Sequence, residues 1–342
     1  MQRRTLLRSA FAGSLAVPLG AAAGCSNDKK TSSGKPLEKV TYLTAYGTFG
    51  RDGFIYVAKE KGYFADAGFD VDIKVGAGTG ANIKQILAGA ATFTPVDTTG
   101  CLLAAGGPDK VSGFTCVAAI HQRTLASIIS LEGNGITQPR DLENKTLSDL
   151  PGSINRSLFP TYAKLSNFEY QTVKWVDATP ANVLTNLTSG KFRGIGQFVV
   201  GKATIESLAK GRKAVVLPFS DYLSDLYGNS LITSTAYAKK NPDKVRAFTT
   251  ALLKGLSDSV NDPAGMAKTL KKYVPATNLQ AAAAEMTLMV PYVLSAAAGV
   301  RVGALEIERV VRCIAILQGS GQIAPGLTPE QVVSVDLVPM AS

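Results

Sequence analysis

The sequence predicts an α/β protein of two lobes. Three observations carry that prediction. Strand and helix patterns alternate through two successive blocks, about 40–120 and 126–220. A chain of 342 residues suits two lobes of ordinary size better than one minimal domain. The stretch beyond residue 241 is mostly helical in pattern. Hydrophobic residues at 46% against 18% charged supply a sizeable core and exclude a disordered chain.

In the first block, 40–43 reads as a strand and 54–64 as a helix closed near Gly62. Residues 70–75 alternate as a strand, 80–89 read as a short helix, 92–96 as a strand, 99–105 as a helix and 114–120 as a strand. The alternation predicts a parallel-rich sheet. In the second block, 145–150, 173–176, 195–200 and 215–217 read as strands. Helices are expected at 154–165, interrupted by Pro160, and at 180–189 and 203–210. Residues 228–233 form a strand suited to return to the first lobe. Asn241 then caps a helix with Pro242 at its first position and Val245, Phe248, Leu252 and Leu256 on one face. Ile307, Val310, Val311, Ile314 and Leu317 mark another face, stopped by Gly319. The apolar run 281–300 is long enough to suggest a membrane span, but Glu285, Pro291 and Ser295 favour packed helices.

The N-terminus reads as an address. Arg3, Arg4 and Arg8 form a basic region before the apolar and small-residue stretch 9–23, so 1–24 is expected to be a signal peptide. Gln2 to Arg8 resembles a twin-arginine export signal. Ala22-Ala23-Gly24-Cys25 resembles a bacterial lipobox, with Ala22 where Leu is usual, which makes Cys25 the expected lipidation site. The other reading is ordinary cleavage after an Ala, with Cys25 a spare thiol. Residues 25–36 read as a flexible tether that anchors an exported body to the outer face of the cytoplasmic membrane.

The formal charge is +10, and +7 once 1–24 are removed. A basic surface suits anionic partners, yet no basic run with interleaved aromatics points to nucleic acid. One His in the whole chain argues against a His-rich metal site and against Ser/His/Asp or Cys/His catalysis. No metal or resident cofactor is expected. Beyond Cys25 the cysteines are Cys101, Cys116 and Cys313; Cys101 and Cys116 fall in neighbouring elements and are candidates to pair.

The run Phe54 to Val71 resembles the first helix and second strand of solute-binding proteins of ABC importers, in the family that handles nitrate, sulfonates, taurine and thiamine-type pyrimidines. Asn241 to Phe248, with Leu253-Lys254-Gly255 and Asn261-Asp262-Pro263, resembles that family's C-terminal helix, and Gly152-Ser153 its second-lobe loop. Gly190-Lys191-Phe192-Arg193-Gly194 stands where members commonly carry Gly-Lys-Val-Asp-Ala. The resemblance implies a two-lobed type II periplasmic-binding-protein fold. On this reading 37–125 with 226–342 form lobe 1 and 126–225 form lobe 2. It also implies a ligand cleft between the lobes, no enzyme activity, partnership with a permease and an ATPase, and a likeness to eukaryotic relatives that make the thiamine pyrimidine with an internal His and a Cys cluster. This chain lacks that cluster. A monomer is expected.

Candidate ligand residues lie where strands end and helices begin, the usual place for α/β sites. In the loop after the first strand, Arg51 suits bidentate pairing with a carboxylate or sulfonate, and Tyr46, Phe49 and Phe54 suit a ring. Arg51 and Asp52 read equally well as a solvated loop pair, and Phe54 as core. Thr79 and Gly80 open a helix after a Gly-rich turn, a place for an anionic or polar group. The string 76–81 also passes as a dinucleotide fingerprint with Asp97 21 residues on, which keeps an exported oxidoreductase as an enzyme alternative. Asp97 and Thr98 end a strand, and Asp97 is also a natural helix cap. Ser153 and Arg156 are the second-lobe anion donors, while Trp175 and Phe198 face either the cleft or the packing. His121 reads as a hydrogen-bonded strand-end residue. The expected ligand is small, planar or anionic, leaning to an aromatic or heteroaromatic solute such as a pyrimidine, flavin or aromatic carboxylate; the alternative is sulfonate, nitrate or taurine.

Overall fold

A computed structural model describes residues 36–179, 182–294 and 301–338. The expected signal peptide, Cys25 and nearly all of the tether lie outside these residues. The first body starts with β1 (Glu38–Leu43), β2 (Tyr46–Gly47), a 3-10 turn at Gly50–Asp52, α1 (Gly53–Glu60), α2 (Tyr63–Asp66) and β3 (Phe69–Lys74). It continues through β4 (Gly76–Ala77), α3 (Thr79–Leu87), β5 (Thr94–Asp97), α4 (Thr98–Gly106) and β6 (Phe114–Ala119). The second body holds β7 (Ala126–Leu131), β8 (Thr146–Asp149), α5 (Ile154–Leu165), β9 (Lys174–Asp177), α6 (Val183–Thr188), β10 (Gly194–Phe198), α7 (Lys202–Leu208) and β11 (Ala214–Pro218). The chain then returns through β12 (Asn229–Ser234) and ends in α8 (Thr235–Lys240), α9 (Pro242–Asn261), α10 (Pro263–Tyr273), α11 (Leu279–Val293) and α12 (Ile307–Gly319).

In the first body β1 pairs with β3 in parallel, and β12 lies between β5 and β6, antiparallel to both. The amide of Leu43 donates to the Phe93 carbonyl and ties the two sheets together. The second body is one five-stranded sheet in the order β11-β7-β10-β8-β9. The sequence reading of parallel-rich sheets is corrected here. Strand β7 was not separately recognised; it runs antiparallel to β10 and β11, because it brings the chain in from the other body just as β12 takes it back.

Three further corrections concern helices. The helix expected over 54–64 is two, because Gly62 takes φ +76°, a left-handed conformation that ends α1 and lets α2 start in a new direction. Pro160 does not interrupt α5, which runs unbroken over it. Val311 is about half exposed and falls outside the buried face of α12.

Phe248 on α9 anchors the first core. It stacks on Phe93 at 3.9 Å between ring centroids and on Phe64 at 4.8 Å, and meets Phe69 edge-on. Burial of such a ring contributes about 2–3 kcal/mol. Gly255 lets α9 approach α1, since a Cβ there would lie 2.6 Å from the Phe54 carbonyl. In the second body Tyr162 and Phe219 stack at 4.2 Å.

The C-terminal helices reach both bodies. Helix α11 packs on α1's flanking turn and on α7, and Gln322 beyond α12 lies 3.3 Å from Thr161 of α5. Among the described residues, no helix is long and apolar enough to cross a membrane. Cys101, Cys116 and Cys313 are buried free thiols, so the candidate pair Cys101 and Cys116 is not bonded. The two sit side by side in the core, and burial followed by the neighbouring Cys116 pushes the Cys101 thiol well above its ordinary range.

Candidate functional site

Four strand ends converge on one cavity of about 530 Å³ between the two sheets: the loop after β1, Asp97 after β5, Asp149 after β8 and Phe198 after β10. The first wall is the loop Tyr46–Asp52. Asp52 closes it from behind, its Oδ2 accepting from the Phe49 amide at 3.0 Å. Asn82 locks the adjoining turn; its side-chain amide donates to the Thr44 and Ala45 carbonyls and to Thr94 Oγ1, and its oxygen accepts from Ala77 N. Gly76 is required there because a Cβ would meet the Thr44 carbonyl oxygen at 1.7 Å.

Arg51 is the focus of this wall. It is 7% exposed, and one guanidinium nitrogen donates to the Tyr46 carbonyl at 3.2 Å. The guanidinium carbon lies 4.5 Å from the Phe49 ring and 5.6 Å from Phe198 of the facing body. Its Nε is buried without a partner, as is the Tyr46 hydroxyl. A buried cation left so incompletely bonded carries a desolvation cost that a bound acceptor would offset.

The opposite wall is already satisfied. Asp149 Oδ2 accepts from Ser153 Oγ and from Asn155 Nδ2, and Oδ1 accepts from Leu150 N at 2.7 Å. Ser153 in turn accepts from Arg156 N and caps α5. Gly196 makes room for the carboxylate, since a Cβ would lie 2.0 Å from Asp149 Oδ2. Asp97 caps α4, its Oδ1 accepting from Gly100 N at 3.2 Å. Burial raises Asp97 to about 7, against the donors on Gly100 and Thr99. Burial likewise raises Asp52 and Asp149 to about 6 each. Glu285 on α11 spans the two bodies at one edge: Thr204 Oγ1 donates to it at 3.0 Å and Arg51 N at 3.4 Å.

Of the residues expected to bind ligand, Tyr46, Phe49, Arg51, Thr79, Gly80, Asp97, Ser153 and Phe198 line this cavity. Five are placed elsewhere. Asp52 sits behind the loop it ties, and Phe54 is a core ring at 3% exposure. Thr98 turns to the Gly228 carbonyl and to Ser230 Oγ. Arg156 pairs with Asp177 at 2.6 Å and lies over Trp175, whose ring packs edge-on against Phe159. His121 is buried, accepts from Asn229 N at Nδ1, and is lowered to about 3 by burial and then by Arg51. Sequence reasoning missed Asp149, Gln197 and Glu285, which also line the cavity. Asp149 had a readable signal: like Asp97, it ends a strand that leads into a helix and has a glycine three residues on. Among the described residues no cluster of His, Cys, Asp and Glu is arranged to hold a metal.

Two sheet bodies enclosing a cleft at their strand ends are the architecture of bilobal solute-binding proteins. The family profile described as NMT1/THI5 like matches residues 52–266, and the chain belongs to that family. It is 24% identical over 234 residues to the formylaminopyrimidine-binding protein of Halalkalibacterium halodurans, an alignment spanning 68% of this chain and 69% of that one. It is 26% identical over 240 residues to the riboflavin-binding protein RibY of Chloroflexus aurantiacus, spanning 66% of this chain and 64%, under two thirds, of that relative. In fold it is similar to the nitrate-binding protein NrtA of Synechocystis PCC 6803, with a TM-score of 0.70, 13% identity and 88% and 87% of the two chains covered. It is also similar to the alkanesulfonate-binding protein SsuA of Xanthomonas axonopodis pv. citri bound to MOPS, with a TM-score of 0.67, 14% identity and 86% and 98% covered. These structural likenesses bear on the fold alone.

Proposed function

We propose that the protein is an extracytoplasmic receptor that captures a small aromatic or heteroaromatic solute and hands it to the permease of an ABC importer. It performs no reaction; occupancy is signalled by the closure of one body on the other. The observation that carries the reading is the cavity of about 530 Å³ at the strand ends, in which Phe49 of one body and Phe198 of the other flank Arg51. That volume suits a ring system and far exceeds the needs of a triatomic or tetratomic anion. The two curated relatives, named for binding formylaminopyrimidine and riboflavin, point the same way. Cys25 would carry the lipid that holds the receptor at the membrane surface, after export directed by residues 1–24.

A thermal-shift screen of the full chain tests the reading, with pyrimidines, riboflavin, aromatic carboxylates, sulfonates, taurine and nitrate. A ligand at 100 times its dissociation constant stabilises the fold by about 2.7 kcal/mol. A selective shift with a ring compound, without turnover, is the expected result; a shift with sulfonate or nitrate alone would abandon the ring reading. Mass spectrometry of the exported protein tests the lipid at Cys25.

A further inference from the structure

We infer that the protein carries a second binding site, apart from the cleft, for a phosphate-bearing anion. The site lies at the far end of the second body's sheet, and the inference does not rest on the receptor reading above.

Strand register fixes its place. Strand β10 runs from Gly194 to Phe198, and Gln197 and Phe198 line the cleft. Strand β8 likewise begins at Thr146 and ends on the cleft at Asp149. Strand β7 is antiparallel to β10, with Ser130 opposite Gly194, so it leaves the sheet where the other two enter. Residues 133–135, 144–146 and 191–193 at that end line a pocket of about 480 Å³. It shares no lining residue with the cleft. The length of β10 separates the two, about 13 Å at the usual strand rise.

The chemistry of the pocket is one-sided. Lys145, Lys191 and Arg193 line it, and no carboxylate does. Among the described residues none of these three cations forms an ion pair. Glu132 and Glu143 adjoin the pocket in sequence without lining it, and Glu143 Oε1 already accepts from the Glu169 amide at 3.0 Å. Asn134 ties the loops together. Its Nδ2 donates to the Arg193 carbonyl at 3.0 Å, and its Oδ1 accepts from Arg212 at 2.8 Å, which draws a fourth cation to the rim. Like charges gathered in one concavity repel one another, and a bound anion offsets that repulsion. A phosphate group presents three strong acceptor oxygens and can meet cations from several sides, whereas a carboxylate presents two. Arg193 adds the planar fork that suits phosphate. It also stands where members of the family commonly carry Asp, a residue of the opposite charge.

Such a group comes either free in solution or on a lipid headgroup, and two arms on the full chain separate the sources. Calorimetry with pyrophosphate, glycerol 1-phosphate and acetate reads the free form. Flotation with vesicles of phosphatidylcholine alone, and of equal parts phosphatidylcholine and phosphatidylglycerol, reads the headgroup. Binding is expected in at least one arm, with acetate at least about tenfold weaker than the phosphates and no capture by phosphatidylcholine alone. The triple variant Lys145→Gln, Lys191→Gln, Arg193→Gln should lose at least about tenfold in the arm that binds. Lys239→Gln, Lys240→Gln, Lys268→Gln removes the same charge from exposed positions on the first body and should stay within about twofold. Arg193→Asp alone keeps the test readable if the triple variant unfolds, and it should weaken binding at least about fivefold. Binding in neither arm overturns the inference, as does acetate matching the phosphates. An unchanged affinity in the pocket variants, or an equal loss in the remote triple variant, overturns it too. None of these outcomes touches the receptor reading, which the thermal-shift screen tests separately.

Discussion

The two walls of the cleft are built on opposite plans. On the wall of the second body, Asp149 is surrounded by its own donors, Ser153, Asn155 and Leu150 N, and Gly196 gives it space. On the wall of the first body, Arg51 holds one backbone carbonyl and two ring faces and keeps Nε unpartnered. One wall is complete without ligand and contributes shape. The other is incomplete and contributes affinity, because a ligand acceptor there relieves a cost already present in the empty protein. Substitutions on the two walls should therefore fail in different ways.

The largest effect is expected at the complete wall. Gly196→Ala places a methyl 2.0 Å from Asp149 Oδ2, and the strand pairing on both sides of β10 resists a backbone shift. Stability should fall by about 3 kcal/mol, measured by urea unfolding, with ligand affinity reduced only as the fold is lost. A well-folded Gly196→Ala variant of native stability would show that the Asp149 network is not rigid. At the incomplete wall, Arg51→Met should leave the stability of the empty protein within about 1 kcal/mol. It should weaken ligand binding by roughly 10- to 150-fold, the worth of a hydrogen bond to a charged group. If stability collapsed as well, Arg51 would be a structural residue and the contrast between the walls would disappear.

How much of this was legible in the sequence follows the same divide. Local rules found Asp97, because a strand followed by Asp-Thr-Thr-Gly is a cap pattern, and found the loop holding Arg51, because a strand end before a helix is where α/β proteins bind. They over-reached at Arg156 and Trp175. Both lie near the right strand ends, but Asp177 and Phe159, contributed by β9 and α5, draw them away from the cavity. No local pattern encodes such tertiary competition. Asp149 was readable by the rule that found Asp97. Glu285 was noticed as the acid that spoils a membrane span, yet its position between Arg51 and Thr204 depends on α11 crossing to the second body. The antiparallel course of β7 was hidden for a related reason. A fully buried strand has no alternation to show, and its direction is set by which sheet it enters.

Asp97 gives a smaller effect with a distinctive pH dependence. Burial raises it to about 7 in the folded protein, whereas the unfolded chain ionises it near 3.8. Between those values the folded state holds a proton that the unfolded state has released, so stability is fully present below pH 3.8 and is lost as pH rises toward 7. Asp97→Asn cannot ionise and still caps α4. The empty variant should match the parent at pH 4 and exceed it by about 1–3 kcal/mol at pH 8. An advantage that is the same at both pH values would mean the gain comes from packing rather than from the buried charge.

The smallest effect is expected at the rim, and it separates the two arginines that the sequence could not. Arg156 lies over Trp175 and pairs with Asp177, whose side chain is 68% exposed. Solvent screens such a pair, and exposed ion pairs contribute about 0.2–1 kcal/mol. Arg156→Gln keeps the aliphatic stem over the indole and removes only the charge. Stability should change by less than about 1 kcal/mol, and affinity for the ligand that Arg51→Met weakens should stay within about threefold. Calorimetry on the two variants side by side decides it. A tenfold loss in Arg156→Gln would draw the rim into the site and make the second wall, too, a source of affinity. A near-native value would leave Arg51 as the arginine through which this cleft holds its ligand.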